Sequence, residues 1–351
     1  MAWRAFHQEQ GTGRDRQTPP RHAVTLMKKT WRLALTVGVS AAFVLVLVWS
    51  VNVRQTLDAL RAANYSYIPL AVFLSLVTNL LRSYRWKYVL NPLQQISVLS
   101  LFSGVAVGYM ANNVLPARLG EVVRSYYLGR KEGLSKSSTL ATIVIERLFD
   151  GLTLLGFLAL ISTFFPFPDW LTTVGWLAAV ILFALTGILT VSVVHRTWTL
   201  GLVERVSPWV PPHVARQIHE LTGSFLSGLM ILSHKRDALL ALVFSLLGWI
   251  VEAGTYYVVG LSFDFHLPIY GAMLAVAIVN FGILLPAAPG YIGTFEFFSV
   301  AALGLVAIEK SEALSYALVL HAVLVVPITL IGMVYFFREQ VSLADMKAQE
   351  R

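Results

Sequence analysis

Six long apolar runs dominate this 351-residue chain and restrict what it can fold into. A helix needs about 20 apolar residues to cross a hydrocarbon core roughly 30 Å thick, and each run reaches about that length. Hydrophobic residues make up 56% of the chain and charged residues 13%, about half the charged share of a soluble domain. We predict membrane-spanning helices near residues 32–52, 67–89, 138–163, 170–194, 237–260 and 312–336.

The distribution of the basic residues predicts the topology. Although the net charge is +8, 23 of the 27 lysines and arginines fall in segments 1–32, 82–136, 195–236 and 337–351. Because cytoplasmic segments of membrane proteins are enriched in Lys and Arg, both termini are predicted to be cytoplasmic. The positive charge is therefore assigned to membrane topology, and no nucleic-acid partner is expected.

Several chemical classes find no support in the sequence. The chain has no cysteine, which excludes disulfides and thiol catalysis. Its eight histidines lack metal-binding spacings, and its one GTG tripeptide precedes no strand, so neither a metal nor another cofactor is expected. Segments of alternating hydrophobicity are absent, so the fold class is all-α.

Two further apolar regions are interrupted by proline and glycine. They are VLSLFSGVAVGYMANNVLPARLGEVVRSYYL (98–128) and LPIYGAMLAVAIVNFGILLPAAPGYIGTFEFFSVAALGLV (267–306). Both flanks of each region lie on one side of the membrane by the charge count, which predicts two re-entrant helical hairpins. Non-helical backbone at membrane depth must be buried in protein or line a wet cavity, so we expect both breaks in the interior. The residues that form the breaks are Asn112, Asn113, Pro116, Gly120, Asn280, Pro286, Pro289, Gly290 and Gly293.

The two halves of the chain resemble each other at an offset of 170 residues. LPARLG (115–120) and LPAAPG (285–290) match at four of six positions, and the same offset places Arg82 on Glu252. The two halves are predicted to run in opposite directions through the membrane, as in the inverted repeats of secondary transporters. We therefore predict repeats over about 67–163 and 237–336 within one transmembrane domain, 32–337.

The remaining segments are predicted to be extramembrane. Residues 1–31 and 338–351 form polar tails, and Met27 is a candidate natural start because MKKTWRLALTVGVSAAFV is a typical membrane-protein N-terminus. The linker 195–236 contains HVARQIHELTGSFLSGLMIL, which predicts an amphipathic helix under the bundle or on the inner leaflet. Only about 15 residues follow the last predicted span, so a soluble catalytic domain is not expected there.

Three motifs in order, NNVLPARLGEVVR, ERLFD and PGYIGTFE, resemble the lysylphosphatidylglycerol synthase transmembrane-region family, which includes the flippase half of a bifunctional flippase/synthetase. The resemblance runs from about Met27 to Phe337. It implies an inner-membrane protein that moves a lipid or lipid-linked headgroup between leaflets. The family's motif positions fall here on Asn113, Pro116, Arg118, Gly120, Glu121, Arg124, Glu146, Arg147, Asp150, Pro289, Gly290, Gly293 and Glu296.

Ionisable side chains inside the membrane are costly and are therefore candidates for function. Arg118, Glu121 and Arg124 follow the first break at a spacing of three, which favours a phosphate-binding cluster but also fits simple anchoring of the hairpin. The next such group, Glu146, Arg147 and Asp150, forms either a substrate site with a net negative remainder or structural ion pairs.

Two more acids are candidates in the second half of the chain. Glu252, in the middle of a span, is expected to pair with Arg82, and a proton-coupling role is the alternative. Glu296 either contributes to the site or caps the half-helix that follows the second break, with Thr294 as a candidate N-cap. The asparagines of the breaks are expected to satisfy broken backbone.

The sequence therefore predicts a non-enzymatic flippase whose headgroup cavity lies between two hairpins. The expected substrate is a membrane phospholipid or a lipid-linked molecule. A lipid-modifying synthase, a glycosyltransferase or a second copy of the chain is a candidate partner. A carrier for small anions, an intramembrane enzyme and a non-transporting subunit of a glycosyltransferase remain alternatives.

Overall fold

The computed structural model describes residues 37–115, 119–206, 209–285 and 287–339, and within them the chain is helical without any strand. Tail residues 1–36 and 340–351, together with Pro116, Arg118 and Pro286 of the breaks, lie outside the described residues. The helices are α1 (Val37–Ser50), α2 (Val53–Ala62), α3 (Ile68–Leu90), α4 (Val98–Val114), α5 (Gly120–Glu132), α6 (Lys136–Ser162), α7 (Asp169–Val194), α8 (Arg196–Val206), α9 (Pro212–Gly228), α10 (Lys235–Gly260), α11 (Ile269–Gly282), α12 (Thr294–Leu305) and α13 (Lys310–Arg338).

Each of the six predicted spans coincides with a helix, namely α1, α3, α6, α7, α10 and α13. In the described part of the chain, α3 with its preceding turn, α7, α10 and α13 are long and apolar enough to cross a membrane. A fifth span is added if α1 and α2 are taken as one helix bent by 87°. Helix α6 has 27 residues, but Glu146, Arg147 and Asp150 near its middle lower its hydropathy. The total of six spans stays a prediction.

Both interrupted regions form helical hairpins. In the first, α4 packs against α5, and in the second α11 packs against α12. Helices α4 and α11 have 17 and 14 residues, which is shorter than the roughly 20 residues of a full span. Neither helix is therefore long enough to cross a bilayer alone.

The packing of the helices follows a paired pattern. Helices α3 and α10, which begin the two halves, pack against each other along their length. Helix α4 packs against α13, and correspondingly α11 packs against α6. Each hairpin therefore lies against the last helix of the other half of the chain. One apolar core lies among α10 to α13 and the second half of α6, and another lies among α3, α4 and the first half of α6.

Helix α7 lies at the edge of this bundle. It packs against α6, α8 and the 3-10 turn Met230–Ser233, and Leu171 is its one buried residue. Large apolar side chains cover its other faces, which in a membrane protein is typical of a helix surrounded by lipid.

Two helices were missed by the sequence interpretation. Helix α2 follows α1 after the 87° bend, although the sequence predicted one span over 32–52. Helix α8 precedes the predicted linker helix, which is confirmed as α9 and begins at Pro212. Both are short, and about half of their residues are polar or charged, so they carry no span-length apolar signal.

A glycine allows α13 to contact α4 closely. A Cβ atom on Gly332 would lie 2.3 Å from the carbonyl oxygen of Ala106. Gly332→Ala should therefore separate the two helices and lower the thermal midpoint of unfolding, at a cost of about 1–3 kcal/mol. Gly187→Ala in α7, where nothing lies within 4 Å of the added atom, is the matched control and should leave the midpoint unchanged or slightly raised. Equal midpoints for the two variants would contradict this packing.

Candidate functional site

A cavity of about 410 Å³ lies between α3, α6, α7, α10, α13 and the two hairpins. Both hairpin breaks contribute to its wall, through Asn113 on one side and Tyr291 on the other. The breaks also approach each other, since a Cβ atom on Gly290 would lie 3.4 Å from the carbonyl oxygen of Asn113. Described residues of both breaks thus line the cavity, whereas Val114 and Leu285 beside them are exposed, and the interior position of the whole breaks stays a prediction. The charged or titratable groups on the wall include Arg82, Glu121, Arg147, Asp150, Glu252 and His321.

Beneath the cavity wall, Glu146 of α6 lies between two arginines. Its side chain is fully buried, and its Oε1 and Oε2 lie 3.3 Å from Arg85 Nη2 and 2.7 Å from Arg124 Nη1. A buried carboxylate needs such partners because it has no water to solvate it. Glu146 thus joins α3, α5 and α6.

Arg124 is held inside the bundle and is not among the side chains that line the cavity. Its guanidinium lies 3.5 Å from the ring centroid of Trp86, whose Nε1 donates to Thr142 Oγ1 at 3.0 Å. The predicted cluster of Arg118, Glu121 and Arg124 is therefore divided, because Glu121 lines the cavity and Arg124 does not. Arg118 lies outside the described residues.

Asp150 connects the buried charges to the cavity. One oxygen, Oδ1, accepts from Arg85 Nη1 and from Trp249 Nε1, the latter at 2.9 Å, and the other lies 3.4 Å from Arg147 Nη1. The negative remainder expected at Glu146, Arg147 and Asp150 is met by Arg85 and by Arg124 of the predicted arginine cluster, so the ion pairs that the sequence offered as an alternative are present. Arg147 keeps 40% of its side chain exposed and faces the cavity.

The predicted pair of Arg82 and Glu252 is confirmed, with Nη2 3.4 Å from Oε2. The Arg82 guanidinium also lies 5.0 Å from the ring centroid of Trp249 and 5.4 Å from that of Tyr109, within the range of cation–π attraction. Counting Arg82, Arg85, Arg124 and Arg147 against Glu121, Glu146, Asp150 and Glu252 leaves a formal charge of zero. On the cavity wall itself, Arg82 and Arg147 stand with Glu121, Asp150 and Glu252, so the described wall presents both signs of charge.

The first break is stabilised as the sequence predicted. Asn112 Oδ1 accepts from the backbone N–H of Gly120 at 2.7 Å, which satisfies a free donor at the start of α5. A Cβ on Gly120 would lie 2.1 Å from the Gly108 carbonyl oxygen, so glycine is required there. Asn113 Nδ2 donates to Thr329 Oγ1 of α13, whereas Asn280 Nδ2 donates within its own helix to the Val276 carbonyl.

The second break contains Pro289 and two glycines with positive φ, 68° at Gly290 and 85° at Gly293. The capping interpretation of Glu296 is confirmed, because its Oε2 accepts from the Gly293 backbone N–H at 2.7 Å. Gly293, rather than the expected Thr294, is the N-cap residue of α12. Such φ values are costly for other residues, so the glycines fix the shape of this turn.

His321 of α13 joins this second break and was missed by the sequence interpretation. Its Nδ1 lies 2.5 Å from Glu296 Oε1 and its Nε2 lies 2.7 Å from the Gly290 carbonyl oxygen. Histidines were considered only for metal-binding spacing, although His321 is an ionisable residue inside a predicted span. Arg85 was missed similarly, because Arg82 and Arg85 were counted among the cytoplasmic charges of 82–136, yet both lie within α3.

These features define a multi-pass helical membrane protein with a charged internal cavity. The sequence profile of the family described as "Lysylphosphatidylglycerol synthase TM region" matches residues 33–332. The chain belongs to this family, as its motifs predicted.

Three relatives illustrate the range of the family. A UPF0104 membrane protein of Methanocaldococcus jannaschii is 22% identical, over 84% of this chain and 91% of that protein. Another, from Methanothermobacter thermautotrophicus, is 25% identical over 77% of this chain and 84% of its own length. Glycosyltransferase AglD of Haloferax volcanii is 22% identical over 78% of this chain but only 49% of that protein. The chain thus matches about half of a protein named as an enzyme.

Glu146→Gln tests the buried network. An amide in this position leaves Arg85 and Arg124 without a shared counter-charge, and breaking a buried ion pair costs about 3–5 kcal/mol. We expect a clearly lower midpoint of thermal unfolding in detergent. The control Glu121→Gln removes a carboxylate from the cavity wall and should have a much smaller effect. The double variant Glu146→Gln with Arg124→Gln should recover part of the loss, and a parent-like midpoint for Glu146→Gln would refute the network's role.

Proposed function

We propose that this protein moves a lipid or lipid-linked headgroup between the two leaflets of a cytoplasmic membrane. The observation that carries the proposal is that one cavity is lined by side chains of two chemically different kinds. Ionic side chains of α3, α5, α6 and α10 line it together with Ala178, Ile181 and Leu182 of helix α7. Such a cavity suits an amphipathic molecule.

A lateral opening distinguishes a lipid site from a site for a soluble molecule. Ile181 of α7 and Leu284 beside the second break both line the cavity, and both are more than half exposed, at 55% and 59%. Acyl or prenyl chains could remain in the bilayer at this opening while the headgroup occupies the cavity. A carrier for small anions would not need an apolar opening toward lipid.

Arg147 is the residue best placed to receive the phosphate of a headgroup. Its side chain is 40% exposed, and its distance to Asp150 is 3.4 Å, longer than a direct charge-assisted hydrogen bond. A guanidinium binds phosphate oxygens in a bidentate manner. Arg82 and Glu252 lie on the same wall, and Glu121 would contact hydroxyl or amino groups of the headgroup.

The paired packing of the helices supports an alternating-access mechanism. The contacts of α3 with α10, of α4 with α13 and of α11 with α6 are those expected of two repeats related by a two-fold axis. We infer from the oppositely directed halves that the repeats are inverted and that both hairpins are re-entrant. Movement of one hairpin against the other would then expose the cavity to each leaflet in turn. No covalent chemistry is required, so we do not propose an enzyme.

The likeness to Glycosyltransferase AglD favours a second candidate function. Because the chain matches about half of that protein, it could serve as the membrane partner of an enzyme of lipid-linked glycan or aminoacyl-lipid synthesis. The same cavity would then present a lipid-linked substrate to a synthase or glycosyltransferase. A cytoplasmic location of both termini, an inner-membrane location and self-association belong to the proposal as well.

The test is lipid movement in liposomes that contain the purified protein. Fluorescent headgroup-labelled anionic, zwitterionic and cationic lipids are followed by quenching from outside, beside uptake of soluble glycerol phosphate. We expect the parent to move at least one lipid and Arg147→Gln to slow it about tenfold, the effect of losing one charge-assisted hydrogen bond. The control Arg61→Gln alters an exposed arginine of α2 and should match the parent. If no lipid moves, the flippase proposal fails, and uptake of glycerol phosphate alone would establish the anion carrier.

The lateral opening has its own test in the same liposomes. Because the chain has no cysteine, a single thiol can be placed at Ile181 and modified with a bulky reagent. Modified Ile181→Cys should lose lipid movement, whereas modified Ile188→Cys, exposed on α7 but absent from the cavity wall, should retain it. Equal activity of the two modified variants would argue against entry past α7.

A further inference from the structure

The hydrogen bonds of His321 fix the number of protons that it shares with Glu296. The Gly290 carbonyl oxygen carries no hydrogen, so Nε2 of His321 must be the donor of their 2.7 Å bond. The 2.5 Å contact between Nδ1 and Glu296 Oε1 then requires one more proton between these two atoms. Imidazolium with carboxylate and neutral imidazole with carboxylic acid both satisfy it. Either way, the pair holds one proton more than a neutral histidine beside an ionised glutamate.

This shared proton holds the second break to α13. His321 binds the carbonyl of Gly290, and Glu296 binds the backbone N–H of Gly293 at 2.7 Å, so the two side chains hold both positive-φ glycines of the turn. Phe295 covers the imidazole at 4.4 Å between ring centroids. Without the proton, the neutral imidazole has one N–H, which can donate either to the Gly290 carbonyl oxygen or to Glu296 but not to both, so one of the two contacts is lost and the attachment of the turn to α13 weakens.

The proton can be exchanged through the cavity. His321 lines the cavity wall, whereas Glu296 lies behind it with 8% of its side chain exposed. The other titratable groups that line the same cavity are Arg82 of α3, Tyr109 of α4, Glu121 of α5, Arg147 and Asp150 of α6, Glu252 and Tyr256 of α10, and Tyr291 of the turn. Arg82 with Glu252 and Arg147 with Asp150 are ion pairs already, so the His321–Glu296 pair is a separate proton-binding unit.

We propose that Glu296 and His321 form a proton-binding site that couples the position of the second hairpin to protonation from the cavity. With the proton bound, the turn at Pro289–Tyr291 is attached to α13, and release of the proton frees it. If the protein transports a headgroup as proposed above, a proton gradient drives this movement or determines when it occurs. This consequence rests on the proposed transport function. The proton site itself is a property of the pair and is testable without any lipid.

Thiol labelling measures whether the turn opens. Ala288→Cys places a reporter in the turn, and Leu115→Cys places one at the first break, so the ratio of their labelling rates removes the pH dependence of the thiol itself. We expect the ratio to rise about tenfold, with a single-proton profile, as the pH is raised. His321→Gln and Glu296→Gln should abolish the change, and Glu121→Gln should retain it. A flat ratio in the parent, or an unchanged profile in both variants of the pair, would overturn the proposal.

Nitrogen NMR supplies a measurement that leaves the pair intact. Replacing the other seven of the eight histidines by glutamine leaves His321 as the one labelled imidazole. The hydrogen-bond pattern predicts a protonated Nε2 at low pH, and one proton is lost from the pair as the pH rises. An unprotonated Nε2 at low pH, or no change as the pH rises, contradicts the assignment. If the parent moves no lipid while the proton transition is present, the flippase proposal fails and the proton site stands.

Discussion

Burial of the Glu146 carboxylate is the constraint on which the rest of the structure depends. A charge without access to water is tolerated only beside opposite charges, and Glu146 has Arg85 of α3 and Arg124 of α5 on its two oxygens. These contacts fix α5, and hence the first hairpin, against both α3 and α6. They also consume the positive charge of Arg124, which leaves Arg147 and Arg82 as the described arginines on the cavity wall. The buried network thus positions the site, and Asp150 and Arg147 are its members on the cavity wall.

The two hairpin breaks are stabilised by different means. At the first, an asparagine side chain replaces the missing backbone acceptor of Gly120, and this bond has no titratable group. At the second, a carboxylate and an imidazole hold the two glycines, so the contact depends on a proton. The two breaks, which occupy related positions in the two halves of the chain, are therefore stabilised by chemically different side chains. We infer that the first hairpin is the fixed element and the second the moving one.

The sequence predicted the helices of the bundle because apolar runs of span length have one stable form in lipid. It also predicted the Arg82–Glu252 pair, since the offset of 170 residues placed these two positions opposite each other. Arg85 and His321 were missed for a physical reason. A charged side chain near the end of a span usually reaches the aqueous interface. Arg85 instead lies inside the bundle, because α3 packs against α6 and α10. Likewise, the partners of His321 lie 25 and 31 residues away, across a turn whose shape the sequence does not determine.

Cross-linking of a lipid to the cavity wall measures the central claim most directly. A phospholipid or prenyl phosphate with a photoreactive headgroup would be activated in membranes that contain the protein, and the modified residues mapped by mass spectrometry. The account predicts cross-links on the cavity wall, at Tyr109, Asn280 and Tyr291, that are diminished by Arg147→Gln. Cross-links confined to the outer faces of the helices, or unaffected by the loss of Arg147, would show that the headgroup does not enter the cavity and would contradict the account.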